Sequence, residues 1–249
     1  MLSKSNIKRI TGLHQKKYRK QEGLFVAEGI KVINELLESS CAPEAIYGIE
    51  DTSLHIPEEN KNMFQKVTAA ELKKISFLKT PQTALALFKI PKQVDDKRTG
   101  ITLLLDDVRD PGNLGTIIRL CDWFGVTSLV CSSQTVDCYN PKVVQATMGS
   151  LSRITISYVD ITAYLEEEKR PIYGTFMNGS NIYAATLPKE AVIVMGNEAN
   201  GISDAIEQLI TQKIAIPRFG QLQKTESLNV ATATAICLSE FKRGCVTET

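Results

Sequence analysis

The chain has 249 residues, 43% of them hydrophobic and 23% charged, with six cysteines and a formal net charge of +1. This is the length of one large α/β domain or two ordinary ones, and it carries enough apolar residues to bury a real core. Wholesale disorder and a disulfide-dense miniprotein are therefore excluded. The longest apolar stretches, Ile101 to Leu105 and Ala191 to Met195, fall far short of the ~20 residues of a membrane helix, and the opening MLSKSNIKRI lacks the apolar run of a secretory signal. The expectation is a cytoplasmic protein with no membrane segment.

Residues 1–22 hold Lys4, Lys8, Arg9, Lys16, Lys17, Arg19 and Lys20 against a single acid, Glu22, while the remaining chain holds 22 basic and 27 acidic residues. A basic arm on a mildly acidic body suits a polyanion such as a phosphate backbone, although a solvated helix would have the same composition. Next, Phe25 to Leu37 reads as a helix, with Val26, Ile30, Ile33 and Leu37 at 3–4 spacing. Ala45 to Ile49 predicts a strand, Glu71 to Leu78 a short helix and Thr83 to Phe88 another strand. The polar segment from Ile90 to Gly100, bracketed by Pro91 and Gly100, marks a seam. It divides the chain into a small α/β domain, residues 1–94, and a larger one, residues 95–249.

Beyond the seam the pattern becomes regular. Strands are expected at Ile101 to Asp106, Ser128 to Cys131, Thr155 to Val159, Ile172 to Phe176, Ala191 to Met195 and Ile214 to Ile216. Helices are expected at Leu114 to Phe124, Pro141 to Met148 and Leu228 to Phe241. Apolar strands alternating with helices imply a mainly parallel sheet with helices on both faces. The cysteines at 41, 121, 131, 138, 237 and 245 form no C-x-x-C pair, and only His14 and His55 could add imidazole ligands. No metal site is expected, and the thiols read as reduced, small apolar residues.

Ligands of open parallel sheets bind beyond the carboxyl ends of the strands. Three strand ends here are unusually polar: Asp106 to Arg119, Met195 to Ser203, and Ile216 to Gly220 leading through Ser227-Leu228-Asn229 into the last helix. Neither a G-x-G-x-x-G fingerprint nor a G-x-x-x-x-G-K-[ST] phosphate loop is present, which argues against a nicotinamide-dependent oxidoreductase. Asn113 stands where a helix cap is expected. Arg119 interrupts an apolar helix, so its guanidinium either meets an anion or snorkels to solvent. Gly196 either admits a ligand close to the backbone or serves a turn. Glu198 alone carries no assignment, and Ser227 and Asn229 could simply cap a helix.

Taken together, Asn113-Leu114-Gly115-Thr116-Ile117-Ile118-Arg119, Gly196-Asn197-Glu198-Ala199-Asn200-Gly201-Ile202-Ser203, and Ile216-Pro217-Arg218-Phe219-Gly220 with Ser227-Leu228-Asn229 resemble the three motifs of the SpoU family of RNA ribose 2′-O-methyltransferases, in the SPOUT superfamily. They occur in family order within residues 101–242. Lys17-Tyr18-Arg19 and Phe25-Val26-Ala27-Glu28-Gly29 are similar to the ribosomal-protein-like substrate-binding domain that precedes many members.

The resemblance implies an α/β sheet whose C-terminal segment is threaded into a deep trefoil knot, with S-adenosyl-L-methionine held by Met195, Gly196, Ile216, Leu228 and Asn229. It further implies a homodimer sharing the substrate site. Arg119 would act at the target ribose and its phosphate, with Asn113, Glu198, Ser227 and Asn229 orienting substrate. The front domain favours ribosomal over transfer RNA. The competing readings are a transfer-RNA ribose methyltransferase, a base-methylating relative and an RNA-binding protein of this fold without catalysis.

Overall fold

The computed structural model describes residues 2–50, 52–92, 98–222, 224 and 227–243. The chain divides into two compact units, residues 1–92 with 137–153 and residues 93–136 with 154–249. The 94/95 boundary read from the sequence lies outside the described residues.

In the first unit, the basic arm forms two helices, α1 (Lys4–Gly12) and α2 (Lys16–Glu22). Then come β1 (Leu24–Glu28), α3 (Ile30–Leu37), β2 (Pro43–Gly48), β3 (Phe64–Lys66), α4 (Ala69–Ile75) and β4 (Ala84–Lys89). The helix expected over Phe25 to Leu37 is thus two elements. Gly29, at φ 87°, breaks the chain between them, and β1 pairs antiparallel with β4 along its whole length. The 3–4 spacing misled because β1 is buried on both faces and shows no alternation of its own. The sheet order is β1-β4-β2-β3, with β2 and β3 parallel.

One face of this sheet, through Leu24, Val26, Leu85 and Leu87, packs on Ile10 of α1 and on Leu72 and Ile75 of α4. The opposite set includes Phe25 and Phe88, whose rings stack at 5.7 Å. Tyr139 lies 5.0 Å from the Phe25 ring. Segment 137–153, with α5 (Pro141–Thr147), groups with the first compact unit. Three ties hold it there. One is the Tyr139 ring, and another is the ion pair from Arg153 to Glu35 at 2.9 Å. The third is Arg19, which is 2% exposed and donates from Nε to Asp137 at 3.0 Å and from Nη1 to the Leu13 and His14 carbonyls. Such couplings between distant stretches leave no local sequence signal.

The second unit is a six-stranded, wholly parallel sheet of β5 (Ile101–Leu105), β6 (Ser128–Ser132), β7 (Thr155–Val159), β8 (Ile172–Asn181), β9 (Ala191–Met195) and β10 (Gln212–Ala215), in the order β10-β8-β9-β5-β6-β7. Its helices are α6 (Pro111–Trp123), α7 (Ile161–Glu166), α8 (Asp204–Glu207) and α9 (Val230–Arg243). Leu104, Val130, Ile172, Val192 and Val194 share one core with Ile161, Tyr164 and Leu165 of α7 and Ile206 of α8. On the other face, Phe241 of α9 meets the Tyr173 ring edge-on at 5.1 Å, and α6 packs against α9. Every residue of β5, β6 and β9 is buried, as strands covered on both faces must be.

Strand β8 runs to Asn181, five residues beyond the expected end. Its pairing with β10 jumps from Lys213–Gly174 to Ile214–Ser180. Gly179 allows this: a Cβ there would sit 2.4 Å from the Ile214 backbone. The carboxyl ends of β5, β9 and β10 therefore carry the three polar segments singled out in the sequence.

Candidate active site

At the end of β5 the chain turns through Asp106 and Asp107. Asp106 is 6% exposed, and its carboxylate accepts a 2.8 Å hydrogen bond from the Ser203 N–H. Asp107 adopts φ 60°, unusual for a residue with a side chain. Its backbone N–H donates to Ser132 Oγ at 2.9 Å, its carbonyl accepts from Asn197 Nδ2 at 2.7 Å, and its carboxylate takes a two-pronged contact from Arg109 at 2.8 and 2.7 Å. Arg109 is exposed, and this pairing raises its pKa further above its ordinary value.

The next helix, α6, is capped by Asp110, which accepts from the Asn113 N–H at 2.8 Å, with Pro111 in the first turn. The cap expected at Asn113 is therefore corrected. A Pro directly after Asp110 presets the helix one turn earlier, which frees the Asn113 side chain for other contacts. Asn113 Nδ2 donates to Glu198 Oε1 at 2.8 Å, and its Oδ1 accepts from Asn229 Nδ2 at 2.8 Å. Asn229 Oδ1 in turn accepts from the Ala231 and Thr232 N–H groups at 2.9 and 3.2 Å. Asn229 is thus both the cap of α9 and a member of the site. Three segments far apart in the sequence meet in one chain of amides ending on a carboxylate.

The loop after β9 closes on itself through reciprocal 2.9 Å hydrogen bonds between Asn197 and Gly201. Asn197 Oδ1 accepts from the Ala199 and Asn200 N–H groups. A Cβ on Gly196 would stand 2.2 Å from the Gly201 backbone. Of the two readings of that glycine, the close approach is thus made by the protein's own chain.

Beside this loop opens a cleft of about 1160 Å³. Its lining includes Met195, Gly196, Glu198, Ile216, Ser227 and Leu228, all singled out from the sequence, together with Thr175, Ile214 and Cys237. The Met195, Ile214 and Cys237 side chains are buried, making an apolar floor. The Cys237 thiol is pushed up to about 12 by burial, and so is that of Cys121, which keeps both protonated and unreactive at neutral pH. Arg119 does not line the cleft. It lies on the solvent face of α6 with Thr116 and Trp123, on the order of 9 Å along the axis from Asn113. Sequence reasoning missed Asp106, Asn197 and Asp110. Their signal was position alone, at the carboxyl end of an apolar strand or inside a recognised motif. Among the described residues, no group of three or more His, Cys, Asp or Glu could hold a metal ion, and no helix is long and apolar enough to cross a membrane.

Residues 100–239 match the SpoU rRNA Methylase family, and residues 4–86 match the MRM3-like substrate binding domain. The chain is 30% identical over 236 residues to the 23S rRNA guanosine 2′-O-methyltransferase RlmP of Bacillus subtilis, covering 92% of this chain and 93% of that protein. Among solved structures it is similar to a TrmH-family protein of Porphyromonas gingivalis, at 38% identity and a TM-score of 0.86 over 98% of this chain and 99% of the other. It is also similar to an AdoMet-bound rRNA methyltransferase of Sinorhizobium meliloti, at 26% identity and a TM-score of 0.84 over 99% and 98%.

Proposed function

Because the chain belongs to the SpoU rRNA methylase family, we propose that it methylates a ribose 2′-hydroxyl of ribosomal RNA at the cleft beside Asn113, Glu198 and Asn229. The observation that carries this reading is the hydrogen-bonded bridge joining those three residues, one from each polar strand end. The cofactor is S-adenosyl-L-methionine, and the cleft suits it in size and chemistry: an apolar floor at Met195, Ile214 and Ile216 beneath a polar rim at Gly196, Glu198 and Ser227. The cofactor supplies an electrophilic sulfonium methyl group.

The remaining difficulty is the ribose hydroxyl, a very weak acid and a poor nucleophile. It must be aligned with the methyl carbon and helped to lose its proton. Asn113 cannot rotate freely, since both ends of its amide are engaged, and it fixes the orientation of Glu198, which lines the cleft. Glu198, Ser227 and Asn229 orient the nucleotide. Arg119 binds the ribose and its phosphate. A guanidinium has no lone pair free to take a proton, so its contribution is electrostatic activation of the hydroxyl rather than proton abstraction.

We further propose a homodimer. Arg119 and the 84% exposed Trp123 face solvent on α6 rather than the cleft of their own chain. Pairing of two copies over this face would bury Trp123 and carry Arg119 to a shared site. The trefoil knot, the cytoplasmic location and the RNA-binding role of residues 1–94 complete the reading. They are supported by family membership and by the basic helices α1 and α2.

The test is transfer of labelled methyl from S-adenosyl-L-methionine into ribosomal RNA lacking its native modification, followed by nucleoside analysis. A labelled 2′-O-methylnucleoside is expected, and label on a base would overturn the ribose assignment. Arg119→Ala should lose most turnover while keeping cofactor affinity; a fully active variant would remove that role.

A further inference from the structure

Three described side chains are large, apolar and more than four-fifths exposed: Trp123, Phe219 and Leu222. Trp123 lies on α6, whereas Phe219 and Leu222 line the cleft itself. Phe219 is 83% exposed, yet it has an aromatic neighbour. The Tyr183 ring, from the turn after β8, lies 6.4 Å away, tilted by 35°. The two rings come from separate chain segments, so their proximity is a tertiary feature and no accident of local sequence. Tyr183 is held at its start by Asn181, whose Oδ1 accepts from the Tyr183 N–H at 3.0 Å. Cations accompany the pair, since Arg218 and Lys224 line the same cleft and are exposed.

An exposed ring face flanked by cations is the chemistry by which proteins hold unpaired nucleotides: a base stacks on the ring and its phosphates meet Lys or Arg. Protein interfaces are depleted in lysine, so Lys224 on the same cleft suits a phosphate backbone better than a protein partner. We propose that Phe219, with Tyr183, forms a stacking platform for an unpaired nucleobase of the RNA substrate at the outer edge of the cleft. This inference rests on the RNA methyltransferase reading above. The platform gives an extruded nucleotide a fixed plane, so that its ribose is presented to Asn113 and Glu198 instead of remaining in the RNA stack. Stacking is tolerant of base identity, so the platform contributes affinity and presentation rather than sequence choice.

The experiment uses the full chain and a single-stranded oligoribonucleotide of about ten nucleotides carrying 2-aminopurine, whose fluorescence is quenched on stacking. Binding is measured with S-adenosylhomocysteine present. Phe219→Ala should weaken binding roughly 5- to 100-fold and abolish the quench. Phe219→Trp should restore both and Phe219→Leu neither, while Tyr183→Ala gives a smaller loss. Affinity for S-adenosylhomocysteine and sedimentation behaviour should match the unaltered protein throughout.

The proposal is overturned if Phe219→Leu restores binding, which would make the contact merely apolar. It is equally overturned if Phe219→Ala weakens S-adenosylhomocysteine binding by the same factor, since the ring would then belong to the cofactor's adenine. A change in sedimentation would overturn it in favour of a contact between copies. Methyl transfer into ribosomal RNA separates the two readings. Equal transfer by the unaltered protein and Phe219→Ala sinks the platform and leaves the enzyme reading standing. No transfer by the unaltered protein, with quench intact, sinks the enzyme reading alone.

Discussion

From Met195 to Ser203 the cleft is framed by a loop tied at both ends. Ser203 donates to Asp106, Asn197 bonds to the Asp107 carbonyl and to Gly201, and Glu198 receives Asn113. Across the same cleft, the described residues Arg218–Leu222 are all exposed, with the apolar Phe219 and Leu222 among them. One rim is therefore assembled within the chain itself, and the other leaves two large apolar side chains exposed. Preorganised polar groups are worth most where charge develops during reaction.

The sharpest way to break this contrast is on the assembled side. Asn113→Ala removes the bridge from Glu198 to Asn229 and should lower turnover about 100- to 1000-fold, on the scale of losing one preorganised donor, with cofactor affinity by calorimetry nearly unchanged. An equal loss in affinity would mean that the bridge holds the cofactor. Asp106→Ala leaves the Ser203 N–H without its partner and should cost about 1–3 kcal/mol of stability. That corresponds to a melting temperature lower by roughly 2–12 °C for a chain of this size.

Beneath both rims, burial works against the Glu168 carboxyl. Even so, the Arg170 guanidinium and the N–H groups of Arg170 and Lys169 hold it at about 2, well below its ordinary 4.5. Arg170 also donates to the Gly100 carbonyl and to Thr102 Oγ1, each at 3.1 Å, and so anchors the start of β5. A folded pKa below the unfolded one means the stabilisation is complete above about pH 5 and fades as pH falls toward 2. Acid titration followed by circular dichroism should therefore show Glu168→Gln with a flatter profile over that range. At the open rim the effect is smallest. Leu222→Ala, at a residue 81% exposed, should change stability by less than about 0.5 kcal/mol, and a larger loss by thermal melt would show the rim to be packed in the free protein.

Much of this site was legible because the chemistry sits at strand ends. Met195, Gly196, Glu198, Ile216, Ser227 and Leu228, all singled out in the sequence, line one cleft, while Asn113 and Asn229 stand outside its lining, with Asn113 bonded to both Glu198 and Asn229. What could not be read were partnerships. The cap at Asp110, the strained Asp107 and the buried Asp106 look in sequence like three interchangeable acids. The first helix was misread because β1 is covered on both faces, which erases the alternation that identifies a strand.

By itself, the sequence determined the α/β class, the family and the identity of the polar segments, because hydrophobic periodicity and motif spacing are local properties of the chain. Tertiary structure alone decided that residues 137–153 belong with the first unit and that Asn113 bridges two loops 85 and 116 residues away. It also brought Phe219 and Tyr183 together at the edge of the cleft. Each of these depends on strand order and long-range packing, which set distances between residues that no window of sequence contains together.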